Sequence, residues 1–111
     1  MRESQIEKHL VAKVKALGGE VRKVQWIGRR GAPDRLVMLP PKTEMHDVSG
    51  MGVTTFTERT TWVELKNPET IKTFPANAHE RQQAREHARM RAMGQRVEVI
   101  GTIEQVDELL K

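Results

Sequence analysis

The chain has no cysteine and no tyrosine, and only four aromatic residues in 111, two tryptophans and two phenylalanines. Without cysteine there is no disulfide framework, no thiolate nucleophile and no cysteine zinc site. With so few aromatics, Trp26 and Trp62 read as sheet packing rather than as platforms for stacked bases. No run approaches the roughly 20 apolar residues that would span a bilayer. The first ten residues, MRESQIEKHL, also lack the apolar core of a signal peptide. Internal repeats and low-complexity tracts are absent. These absences exclude the secreted, disulfide-stapled and membrane classes, and the expectation is a cytoplasmic protein with no membrane partner.

What is present fits one globular domain spanning 1–111. The chain is 37% hydrophobic and 31% charged, long enough for one core and too short for two. A net charge of +4 favours an anionic partner, although that excess alone says little about which.

Hydrophobic periodicity orders the elements. Ile6, Leu10, Val14 and Leu17 recur at helical spacing over 4–17, and Gly18-Gly19 stops that helix. Val21, Val24, Trp26 and Ile27 predict a first strand, followed by a loop rich in Gly, Arg and Pro. A second strand covers 35–39 and ends at Pro40-Pro41. Residues 42–59 are polar and glycine-containing, and read as a hairpin arm or loop insertion. A third strand runs from Thr60 to Lys66, where Asn67-Pro68 ends it. A loop then leads to a helix over 78–93 closed by Gly94, a fourth strand at Val97–Ile100, and a short last helix at 103–110.

Two stretches carry chemistry. In GRRGAPDRLVMLP, Asp34 stands at the mouth of an apolar strand beside Arg29, Arg30 and Arg35. In TWVELKNP, Glu64 and Lys66 are two apart and share one strand face, whereas Val63 and Leu65 point to the other. Should these strands be neighbours, the carboxylates of Asp34 and Glu64 lie side by side. Adjacent carboxylates repel unless a cation sits between them. A hard divalent ion such as Mg²⁺ suits that arrangement, since it uses one or two carboxylates and keeps several waters. An ammonium beside it would orient a water or offset charge on a phosphate under attack. Against this stands the reading of Glu64–Lys66 as a solvated surface ion pair of little energetic weight.

Taken together, ESQIEKHLVAKVKALGG, GRRGAPDRLVMLP, TWVELKNP and QQAREHARMRAMGQRVEVI resemble a small VRR-NUC protein. This is the virus-type replication-repair nuclease branch of the PD-(D/E)XK superfamily, in its stand-alone phage and bacterial form. The resemblance covers nearly the whole chain. It implies an α/β fold with a restriction-endonuclease-like αβββαβ core, a mixed central sheet flanked by helices, and here a short C-terminal helix in addition. It implies metal-dependent DNA endonuclease activity on branched or structured DNA such as Holliday junctions, with Mg²⁺ or Mn²⁺. A chain this small can hardly embrace a branched substrate alone, so a homodimer presenting two active sites is expected. Asp34 and Glu64 would be metal ligands with the Leu65 backbone carbonyl, Lys66 the catalytic lysine, and Gln83 the glutamine of the following helix, with Gln82 its neighbour.

The first helix should add one acid, Glu7 or Glu3. They are four apart and share a helical face. Glu7 lies within the helix but has a competing role, because Ser4-Gln5-Ile6-Glu7 has the form of a capping box. Asp34 and Glu64 are separated by 29 residues, longer than a compact hairpin, which marks 42–59 as an insertion. Arg22, Lys23, Arg29, Arg30 and Arg35 surround the acids in sequence and suit an approaching phosphate backbone. Arg81, Arg85 and Arg89 form a stripe expected to face solvent. The four histidines show no metal-ligand spacing, so structural or surface roles are expected of them. The alternative function is a DNA-binding module that needs a partner for cleavage.

Overall fold

Ile6, Leu10 and Val14 are fully buried, so helix α1 (Glu3–Ala16) forms as its apolar stripe predicts. It stops where Gly18 takes a positive φ of 83° and the Gly19 N–H donates to the Val14 carbonyl. The helix begins earlier than Ser4, and the capping box is another one. Arg2 is the N-cap and its backbone N–H donates to the Gln5 side chain at 2.6 Å. Glu7 is thereby released from any capping role.

The computed structural model describes residues 1–111, and α1 is followed by β1 (Glu20–Lys23), β2 (Arg35–Val48) and β3 (Met51–Leu65). Next come α2 (Pro68–Thr73), α3 (Ala78–Ala92), β4 (Val97–Ile100) and α4 (Ile103–Leu109). The four strands make one sheet in the order β1-β2-β3-β4, antiparallel except for β4, which runs parallel to β3. This is the expected αβββαβ core with a mixed sheet and a terminal helix. Helix α2, six residues capped by the Asn67 side chain, occupies the stretch read as a loop.

Val37, Val63, Leu65 and Ile100 point from one sheet face onto α1 and α4 and close the core with Val106 and Leu110. Because side chains alternate along β3, Glu64 and Lys66 face the other way, toward α3. Trp26 and Ile27 lie in the loop after β1 instead of extending it. The Trp26 indole N–H donates to the Pro33 carbonyl at 2.8 Å and its ring packs on Trp62 with centroids 5.1 Å apart.

Residues 42–59 form the hairpin arm, not a loop: they are strand on both sides of a turn at Ser49-Gly50. β2 continues past Pro40-Pro41, which cannot donate to the ladder and are accommodated by a register shift between Leu39 and Lys42. Ser49 and Gly50, with φ of 53° and 78°, turn the chain as a tight hairpin requires. The exposed arm elongates the molecule to 55 × 29 × 25 Å. The radius of gyration is 16.2 Å, against about 13 Å for a compact domain of this length.

Candidate active site

Pairing of β2 with β3 answers why an acid stands at the mouth of a strand. The last paired residues are Arg35 and Val63; one further step in the same register sets Asp34 opposite Glu64. Cross-strand neighbours of this kind lie about 5 Å apart at Cβ. The long arm leaves this end of the ladder intact. Glu64 is nearly enclosed, its side chain 12% exposed, while that of Asp34 is 48% exposed. One carboxylate is thus sheltered by protein and the other opens to solvent.

Each group is held by a neighbour. Lys66 Nζ donates to Gln83 Oε1 at 2.8 Å, and Gln83 Nε2 donates to Glu64 Oε1 at 3.3 Å. Gln83 therefore fixes base and acid together, and it is buried on α3, where counting back from Gly94 places it. Gln82 faces away. Gly31 locks the Asp34 loop onto the same turn: a Cβ there would lie 3.1 Å from the Gln82 carbonyl and from Gln83 Cα, and its φ is +82°. Only glycine tolerates both constraints.

The acids of α1 separate. Glu7 Oε2 accepts from Arg35 Nη2 at 2.7 Å, and Arg35 Nη1 lies 2.9 Å from Asp34 Oδ1. Arg35 is buried, and although burial opposes its charge, Glu7 and Asp34 hold it firmly protonated. Glu3 is the helical acid that senses the cluster. Partial burial first, then the carboxylates of Glu64 and Asp34, push its carboxyl above the usual range, against the pull of Lys66 and Arg35. Of the other basic residues, Arg22 pairs with Glu20 and Arg29 with Glu86, whereas Lys23 lies in a cleft beside Asp34 and Trp26.

Two residues of this site have no signal as site residues in the sequence. His87 is fully buried and neither ring nitrogen has a hydrogen-bond partner; Nε2 stands 3.7 Å from Glu64 Oε1. Its ring stacks on Phe74, with centroids 6.2 Å apart, and Lys66 Nζ sits 5.3 Å from the Phe74 centroid. Glu64, His87, Phe74, Lys66 and Gln83 therefore close a ring of contacts. A lone histidine reads as structural or surface, and burial makes this one structural; only the fold shows that it stands against Glu64.

No three His, Asp or Glu side chains converge into a ready-made metal cage. The donors available, Asp34, Glu64, Glu3 and main-chain carbonyls, are all oxygens. That set fits a hard cation that keeps most of its waters and poorly fits zinc or copper.

No family model matches the chain. It is similar to "Putative nuclease p44" of Acyrthosiphon pisum secondary endosymbiont phage 1, with 39% identity over 100 residues, which are 90% of this chain and 83% of that protein. It also superposes on a solved structure described as "VRR_NUC domain" with a TM-score of 0.66 and 34% identity, covering 97% of this chain and 92% of that one.

Proposed function

Since the chain belongs to the VRR-NUC family, we propose that it is a metal-dependent endonuclease that hydrolyses phosphodiester bonds in DNA. The observation that carries the reading is the register that sets Asp34 opposite Glu64, with Lys66 two residues on and tied to both Glu64 and α3 through Gln83.

Asp34, Glu64 and the Leu65 carbonyl are the groups to hold Mg²⁺ or Mn²⁺, with Glu3 rather than Glu7 as the added acid, because Glu3 is the one that feels the charges of Lys66, Glu64 and Asp34. The bound ion would lower the pKa of a water and offset charge on the phosphate. Hydrolysis adds one water to phosphorus and breaks one P–O bond, leaving a phosphate end and a hydroxyl end. Lys66, held by Gln83 and Phe74, presents its ammonium where charge develops on the phosphoryl oxygens. Lys23 and Arg30, free of carboxylate partners, steer the backbone toward the acids.

Two finer points rest on the arm. Met45 and Phe56 fall on one of its faces, and Val48, Met51 and Val53 on the other, all exposed. An arm apolar on both sides gains burial by lying between partners, and a second copy of the chain is the commonest such partner. Two active sites at fixed spacing would suit a branched substrate such as a Holliday junction.

Nicking of a panel of linear and branched DNAs by the purified chain, with and without Mg²⁺ or Mn²⁺, tests the reading. Cleavage that requires the ion and vanishes in Asp34→Asn is expected. Binding without cleavage under any ion would instead make the chain a DNA-binding module that needs a partner.

A further inference from the structure

On the side of α3 next to the site, the loop carrying Arg29 and Arg30 and the helix carrying Arg85 and Arg89 enclose a cleft of about 480 Å³ with no hydrophobic lining residue. Four arginines line it against one acid, Glu86. Arg29 occupies that carboxylate through a two-pronged contact, its Nε 2.9 Å from Oε1 and 2.5 Å from Oε2 and its Nη2 2.6 Å from Oε1. Glu86 is buried and its carboxyl is held below the usual range, by the Arg29 hydrogen bonds above all and also by Arg89. The pair pins the loop, so Arg30 has a fixed perch beside the helix. Arg85 and Arg89, four apart, present like charges on one helical face, an arrangement that is unfavourable without an anion. Neither they nor Arg30 make an ion pair, although Arg89 feels the charge of Glu86.

We propose that Arg30, Arg85 and Arg89 form a phosphate-binding subsite, separate from the acid cluster, that holds the backbone of a nucleic-acid strand at a phosphate away from the bond being cut. The inference rests on the nuclease reading. A guanidinium fork matches a phosphate oxygen pair. The absence of any apolar wall leaves no platform for a base, so the contact is to the backbone and independent of sequence. The place fits too: Gln82 lines the cleft, and Gln83, the next residue of the same turn, holds Lys66 and Glu64. A strand lying against α3 there would be gripped at the cleft and presented to the acids beside it.

The test measures DNA affinity by fluorescence anisotropy across a salt series, using Glu64→Gln protein so that cleavage does not interfere. Adding Arg85→Ala and Arg89→Ala should weaken binding about tenfold or more at moderate salt. It should also reduce the slope of log affinity against log salt by about one, the value for one phosphate no longer neutralised. Both side chains are exposed, so the melting temperature should not move. Arg85→Lys with Arg89→Lys, which keeps the charge, should retain the slope. An unchanged slope in the alanine pair overturns the cleft and leaves the nuclease reading standing. A pair that loses binding of inorganic phosphate, titrated by NMR, while keeping its DNA slope also overturns it, because the site would then serve a free anion. Full cleavage by Glu64→Gln itself would overturn the nuclease site instead, and is read in a separate assay.

Discussion

Helices α1 and α3 are of similar length and lie on opposite faces of the sheet, yet they are attached by different forces. The buried residues of α1 are Ile6, Leu10 and Val14. Those of α3 are Glu80, Gln83, Glu86 and His87. The apolar stripe of α1 is adhesive without direction and would tolerate small rotations. The polar face of α3 is directional: Gln83 joins Lys66 to Glu64 and Glu86 takes Arg29, while Glu80 accepts from the Ala76 N–H at 2.8 Å and closes the helix's own first turn. A buried polar group without a partner is costly, so the Gln83 and Glu86 contacts fix the helix to one position. One helix secures the fold, and the other secures the geometry of the site.

Substitutions at the acids sharpen that division most. Glu64→Gln or Asp34→Asn should lower cleavage about a thousandfold, the equivalent of several kcal/mol of charge stabilisation. DNA affinity should hold or rise, because a repulsive charge is removed. Single-turnover cleavage and anisotropy check both, and full activity in either variant would refute the assignment.

Leu10→Ala attacks the other helix. It should lower stability by about 2–5 kcal/mol, the usual penalty for a buried leucine truncated to a cavity. The cleavage rate per folded molecule should stay as it was. Chemical denaturation and an active-site titration separate the two quantities; a rate that falls in step with neither folding nor binding would mean α1 shapes the site more than its packing implies.

The same contrast decides what the sequence could convey. Ile6, Leu10 and Val14 announce α1 by spacing alone, and Val63 and Leu65 flanking Glu64 announce the two faces of β3. The face of α3 is written in Glu, Gln and His, which look like solvent residues until their partners are known. Arg29–Glu86 joins residues 57 apart, and nothing local links them. The arm gives no strand signal because both of its faces are exposed and no alternation betrays it; Pro40-Pro41 looks like an end because a bulge is not visible in composition. Glu7 and Glu3 separate only once the fold brings Glu3 within the field of Glu64, Asp34 and Lys66.

Variants on α3 should reverse the pattern of Leu10→Ala. Gln83→Ala removes the link between Lys66 and Glu64 and should reduce cleavage about 10- to 100-fold, in the range of outer-shell losses. His87→Leu is the sharper case. It removes two unpaired ring nitrogens from a buried site, so the melting temperature should hold or rise. Cleavage should fall about tenfold, because Glu64 loses the group that flanks it. A variant that is both more stable and fully active would reduce His87 to filling.

The smallest expected effect tests whether the α3 side is electrostatically fastened as well as hydrogen-bonded. The Glu86 carboxyl is depressed in the fold by Arg29, and Asp107 on α4 is depressed by hydrogen bonds from His9 and Lys13 of α1. A carboxyl depressed on folding adds stability above its ordinary pKa, near 4.5 for Glu86, and that contribution is lost as pH falls through the lower folded value. The parent protein should therefore lose stability on acidification below about pH 5. Glu86→Gln combined with Arg29→Gln deletes the α3 contribution and leaves the Asp107 contribution in place. Its melting temperature should be slightly lower than the parent's at neutral pH and should converge with it toward pH 3, a difference on the order of a degree or two given the exposure of Arg29. Parallel melting curves across that range would mean that hydrogen-bond geometry alone holds the loop to α3.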